Sequence, residues 1–211
     1  MAGIEIRAAV PEDAEVIARL HAEALPEYFL THLGPAFLRR YYRAFLQAPH
    51  TVVVGSIDRD PVGFVAGTTD LGAFRRHLYP PNLLPFAWIV VRRTVADRTV
   101  RREVVARLHH VRLALRALFS RLRRRDDELA EAGPTLASLF SIAVAPHAQG
   151  SGVADAIITK YLAIEASKGA TRSQLSVNDD NARALAFYER RGWAETDRDG
   201  HSVVYEVDLT A

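Results

Sequence analysis

Hydrophobic positions recur along this chain at two spacings, and the changes from one to the other mark out its elements. Ile4 to Arg7 reads as a short strand, and Pro11 with Glu12, Asp13 and Glu15 opens a helix carrying acids in its first turn. Val16, Ile17, Leu20 and Ala24 form the buried face of that helix. A loop through Pro26, Tyr28, Phe29 and His32 reaches Gly34-Pro35, where a second helix begins with Phe37, Leu38, Tyr41, Tyr42 and Phe45 on its apolar side. Thr51 to Ile57 and Val62 to Thr68 flank Asp58-Arg59-Asp60-Pro61, which predicts a β-hairpin.

About 65 residues, Asp70 to Pro134, separate this hairpin from the next strand, too many for a structureless loop in a compact domain. They predict helices. Pro80-Pro81 and Pro85 should end any helix begun around Phe74 to Leu78, since proline has no amide proton and crowds the preceding turn. Val104, Leu108, Val111, Leu115, Leu118 and Leu122, at alternating steps of four and three, predict a further helix with one apolar stripe. Leu136 to Val144 then reads as a buried strand, and Ala156, Ile157, Tyr161 and Ile164 continue at helical spacing until Gly169. Arg172 to Val177 alternates as a strand. Asn178-Asp179-Asp180-Asn181 supplies turn and capping chemistry for a helix through Ala184, Leu185, Phe187 and Tyr188, stopped by Gly192. Trp193 to Thr196, an Asp199-Gly200 turn and Val203 to Leu209 complete the pattern as a hairpin.

With 211 residues, 49% of them hydrophobic, the expectation is one domain over 1–211 with its own core. Cysteine is absent, which removes disulfides, thiolate metal ligands and thiol nucleophiles, and no metal site is expected. The first residues carry charge where a signal peptide would be apolar, and the longest uncharged apolar run, Leu83 to Val91, is far below the roughly 20 residues of a membrane span. A cytoplasmic protein without a transmembrane segment is expected. Net charge is +2, yet residues 92–125 hold twelve arginines against Asp97 and Glu103, so a local +10 is set against −8 elsewhere. The helical insertion at about 70–134 is therefore basic. Its apolar stripe calls for a surface on the domain or on a second copy in a homodimer, and its arginines suit an anionic partner: a phosphorylated substrate, an acidic protein, nucleic acid or anionic lipid.

The stretch His147-Ala148-Gln149-Gly150-Ser151-Gly152-Val153-Ala154 joins the buried strand to the helix after it. At such a junction the first helical N–H groups have no internal partner and the helix dipole adds positive potential, which makes an anion site, most often for phosphate. Two glycines there serve a structural turn equally well. A dinucleotide fingerprint would need a third glycine in a β-α-β series, and a P-loop would need Gly-Lys-Ser or Gly-Lys-Thr; neither is present.

Gln149, Gly152 and Ala154 match the acetyl-CoA signature of the GNAT superfamily of N-acetyltransferases: Arg or Gln, two variable residues, Gly, one variable residue, then Gly or Ala. Asn178, Asn181, Ala184, Phe187-Tyr188 and Gly192-Trp193 resemble the second pattern of that superfamily, with Trp193 in place of the usual phenylalanine. The resemblance is close over 136–209 and loose over 1–69, and it leaves 70–134 uncovered. It implies an α/β GNAT fold, a mixed twisted central sheet flanked by helices, here with a helical insertion between the third and fourth strands.

The resemblance further implies an N-acyltransferase that moves an acetyl group from acetyl-CoA (coenzyme A) to a primary amine, a small molecule or a peptide, by direct attack in a ternary complex. Pyrophosphate would be bound by N–H groups of Gln149, Gly150, Ser151, Gly152, Val153 and Ala154. The acyl-pantetheine arm would lie along backbone groups of Ile142 and Val144, with the Val144 N–H facing the thioester oxygen as an oxyanion donor. Asn181 and Phe187 are placed against the coenzyme, though Asn181 serves as well for a helix cap. Tyr188 is the acid for the departing thiolate, or a packing aromatic. No carboxylate lies on Ser138 to Val144, so the base is sought among Glu27, His32 and Asp70, each equally at home on a solvated surface. A non-catalytic acyl-CoA-binding module that engages an anionic partner through the insertion is the alternative.

Overall fold

The computed structural model describes residues 3–47, 49–97, 100–102 and 135–210. Its elements are β1 (Ile4–Ala8), α1 (Ala14–Ala24), α2 (Phe29–His32), α3 (Pro35–Phe45), β2 (Thr51–Ile57), β3 (Asp60–Thr68), α4 (Leu71–Ala96), β4 (Thr135–Val144), α5 (Val153–Ser167), β5 (Ala170–Asn178), α6 (Ala182–Arg190), β6 (Ala194–Asp199) and β7 (Ser202–Asp208). The seven strands form one sheet in the order β1-β2-β3-β4-β5-β7-β6. β4 and β5 are parallel and every other neighbouring pair is antiparallel, so the sheet is mixed, as expected.

The β2–β3 turn is tight because Asp58 and Arg59 both take positive φ, 50° and 71°, the geometry of a two-residue hairpin loop. Phe64 on β3 turns toward α1 and α3, where it meets His21 and Tyr42. By alternation Ala66 shares that face, and so do their partners Ala143 and Ser141 on β4. Val153 and Ile157 of α5 cover the opposite face, close to Gly55 and Gly63. The core is thus a sheet between two helical layers.

Two expectations need correction. The loop after α1 contains a short helix, α2. More consequentially, Pro80, Pro81 and Pro85 do not end a helix: α4 runs unbroken from Leu71 to Ala96. Packing outweighs the lost hydrogen bonds. Phe74 packs at a tilt against Phe45, 4.3 Å between ring centroids, and Phe86 against Phe37 at 4.4 Å. Asn82 Nδ2 also donates to Leu78 O at 2.9 Å, so a side chain supplies a donor beside the prolines. The Val104 to Leu122 stripe, most of the arginines beside it and the surfaces expected of them lie outside the described residues.

His21 on α1 is 2% exposed, and its Nδ1 lies 2.6 Å from the Tyr42 hydroxyl of α3. Burial pulls its pKa from 6.5 down to about 4. Below pH 6.5 the unfolded chain takes up a proton that the folded chain refuses until about pH 4, so stability is full above this window and falls through it. The loss expected from this residue is on the order of 3 kcal/mol. Denaturant titrations at pH 7.5 and 4.5 check this, with His21→Asn expected to flatten the difference. A second expectation concerns Gly67 on β3, where an added Cβ would strike the Tyr161 hydroxyl and sit 2.6 Å from the Ser138 carbonyl oxygen. Gly67→Ala should cost about 1–3 kcal/mol in the same assay.

Candidate active site

The site arises where two parallel strands part. β4 pairs with β5 at Leu136↔Arg172, Ala137↔Ser173 and Ser138↔Gln174, and there the pairing stops. The cause is visible on the other edge of β4. Ala66 pairs with Ser141 and Gly67 with Leu139, so Phe140 is an extra residue, a β-bulge that bends the strand away from its parallel neighbour. Phe140 is 40% exposed and rests on Phe74 and Phe45, at 4.9 and 5.4 Å between centroids.

Beyond the bulge, alternation decides which backbone groups face the gap. Ala145 N–H donates to Val62 O at 2.7 Å on the β3 side, and Ala143 is paired with Phe64. In an antiparallel ladder alternate residues bond the same neighbour, so Ile142 and Val144 direct their N–H and C=O away from β3 and into the gap. This opening is part of a cavity of about 600 Å³. Leu139 to Val144 and Leu175 to Asn178 form its sides, Ala148 to Gly150 with Gly152, Ala154, Asp155 and α6 one end, and His21 with residues of the segment Ala24 to Leu30 a further wall.

The loop at the end of β4 uses its N–H groups alternately. Gln149 donates to Pro146 O, Ser151 to Ala148 O, and Val153 to the Ser151 hydroxyl. Gly150, Gly152 and Ala154 make no such bond among the described residues, and all three line the cavity. Gly150 and Gly152 have φ of +82° and +90°, which side chains rarely adopt, while nothing stands within 4 Å of a Cβ at Gly150. The glycines are therefore required by backbone direction and not by crowding. Ser151 braces the turn, its hydroxyl donating to Ala148 O at 2.6 Å, and Val153 is buried in the core; neither lines the cavity.

α6 delivers the remaining groups. Asn181 caps it, Oδ1 accepting from Ala184 N at 3.1 Å, and the residue also borders the cavity. Phe187 and Tyr188 line the cavity one turn further on. Tyr188 is 4% exposed and packs on Trp193 and Tyr205 at 5.5 and 6.0 Å. Burial, with the Tyr28 phenol nearby, raises its pKa well above the usual phenol range. It keeps its proton at every working pH.

The three base candidates separate. Glu27 lines the cavity; His32, on α2, and Asp70 do not. Asp70 instead caps α4, accepting from Ala73 N at 2.7 Å, with Arg76 at 3.9 Å. Sequence reasoning passed over Arg183, which lines the cavity and donates to Gln149 Oε1 across the mouth. A cation in the first turn of a helix opposes the dipole, and that mismatch was the available signal. His21, the fourth residue after Ile17 on an apolar helix face, was a second.

Residues 116–193 match the model of the acetyltransferase (GNAT) family. Solved structures with the same fold include SsHAT, 22% identical over 98% of both chains with a TM-score of 0.65. PaiA N-acetyltransferase from Thermoplasma acidophilum in complex with coenzyme A is 14% identical over 98% of this chain and 99% of that one, with a TM-score of 0.59. The ribosomal-protein-S18-alanine N-acetyltransferase from Escherichia coli is 13% identical over 98% and 94%, with a TM-score of 0.58. The stretch matched by the acetyltransferase (GNAT) family model holds the loop before α5 and all of α6, and the solved structures share the fold over nearly the whole chain.

Proposed function

We propose that the chain transfers an acetyl group from acetyl-CoA to a primary amine by direct attack in a ternary complex. The observation that carries this reading is the loss of β4–β5 pairing after Ser138 and Gln174, which leaves the polar groups of Ile142 and Val144 facing a cavity. An extended pantetheine amide fits such an edge as an added strand would. The pyrophosphate fits the free N–H groups of Gly150, Gly152 and Ala154 at the start of α5, with Arg183 beside them. The neighbours described as holding coenzyme A and as acetylating an alanine of ribosomal protein S18 support the same reading.

Each residue then has a definite task. The Val144 N–H points at the thioester oxygen and stabilises the negative charge that develops on it. Glu27, the carboxylate on the acceptor-facing wall, draws in the amine and takes its proton directly or through water. Tyr188 donates a hydrogen bond to the departing thiolate. Its raised pKa makes it a persistent donor rather than a group that gives its proton up outright.

A free-thiol assay over a panel of amines tests the reading. Tyr188→Phe should lower kcat at least ~10-fold while coenzyme A affinity is retained. Binding of coenzyme A with no amine acylated would instead favour a non-catalytic acyl-CoA-binding module. With increasing pH, kcat/KM should climb as the acceptor amine loses its proton, with no descending limb below about pH 10, because Tyr188 is not deprotonated there. Gly152→Ala, forced to adopt positive φ, should raise KM for acetyl-CoA and cost about 1–2 kcal/mol of stability by calorimetry.

A further inference from the structure

The later turns of α4 carry an apolar ridge on their solvent side. Leu84, Trp88, Val91 and Val95 follow one another at steps of four, three and four, the spacing of a single helix face, and each is more than half exposed. Leu83 beside them is more than half exposed as well. Phe86, on the opposite face, is buried in the core, as are Phe74 and Leu78 from the earlier turns. Single apolar side chains at a surface are ordinary. A contiguous set of five large ones marks a surface that meets something other than water.

Charge narrows what that is. Between Leu71 and Ala96 the helix has four arginines and no carboxylate. Arg76 has Asp70 at 3.9 Å, and Arg93 turns toward the domain with its guanidinium against Gly34. Arg92 is exposed, follows Trp88 by one turn on the ridge itself and forms no ion pair among the described residues. Arg101 and Arg102, exposed past the end of the helix, add to the same sign, while Asp97 accepts a hydrogen bond from Val100 N at 3.4 Å.

Two copies packed ridge to ridge would carry Arg92 into the interface from both sides, and neither helix offers a carboxylate to meet it. A charge buried without a partner is the costly case. An anionic bilayer surface meets both demands. Its acyl boundary takes the apolar side chains, and its headgroup phosphates take a guanidinium whose long stem reaches back to them. Tryptophan, with an apolar body and one N–H, suits that boundary. No described helix is long and apolar enough to cross a bilayer, so α4 would lie along the surface.

We propose that the exposed ridge of α4 docks the protein on anionic phospholipid, with Leu84, Trp88, Val91 and Val95 entering the interface and Arg92 on a headgroup phosphate. The inference stands apart from the N-acyltransferase reading, since none of these residues lines the cavity.

The full chain mixed with extruded vesicles tests this, because its two tryptophans report separately: Trp88 is 67% exposed and Trp193 is 3% exposed. With vesicles of phosphatidylglycerol and phosphatidylcholine, tryptophan emission should shift to the blue and the protein should sediment with the lipid, both effects weakening as salt is raised. Trp88→Phe should abolish the blue shift while the protein still sediments. Trp88→Ser should lower the partition coefficient about tenfold, and Arg92→Gln about fivefold, each with thermal unfolding unchanged because both sites are exposed. Unchanged partitioning of Trp88→Ser overturns the proposal, since the binding would then belong to arginines elsewhere. Absence of binding overturns it, and so does equal binding to vesicles of phosphatidylcholine alone. A blue shift with polyglutamate but not with vesicles overturns it in favour of an acidic protein. A dimer in light scattering that Trp88→Ser dissociates assigns the ridge to a second copy and overturns it too.

Discussion

The interaction on which the rest depends is a set of hydrogen bonds that is not made. After Ser138 and Gln174, two adjacent parallel strands present backbone donors and acceptors to each other's side and never join them. Unsatisfied polar groups of this kind cost about 1–3 kcal/mol each when shut away from water. The gap must consequently stay open to solvent or hold a polar guest. The cavity, the exposed groups of Ile142 and Val144 and the free loop amides are consequences of that constraint.

Holding the strands apart takes packing elsewhere. The bulge at Phe140 would relax if its side chain had nowhere to rest, and it rests on Phe45 of α3 and Phe74 of α4. The first helical layer therefore props the sheet open as well as covering it. α5 meets the opposite face at Gly55 and Gly63, and its N-terminus brings the loop amides to the mouth of the gap. The cavity is lined from two stretches of the chain, one within 21–30 and the other within 139–190.

Much of this was legible in the residues because it is local. Strand and helix periods, the capping Asn181, the glycines needing positive φ at 150 and 152 and the stop at Gly192 all express short-range rules, and the structure follows them. The end of the cavity formed by the loop before α5 and by α6 is built from such pieces. The rest of its lining is not. The bulge at Phe140, the His21–Tyr42 hydrogen bond and the placement of Glu27 on a cavity wall while Asp70 caps a helix depend on which elements meet, and no spacing along the chain encodes that. The three prolines of α4 illustrate the limit most clearly, since a sound local rule was outweighed by aromatic contacts with α3, distant in sequence.

Those prolines have a consequence for how the molecule acquires its order. Three residues of α4 lack the amide proton, so the carbonyls of Arg76, His77 and Pro81 have no backbone donor one turn ahead. A helix so depleted is a poor one in isolation, and its ordering is underwritten by Phe74 and Phe86 seated on α3. α4 is accordingly held in order by the surface it packs on, and the prop beneath the bulge, and with it the mouth of the cleft, depends on that packing in turn.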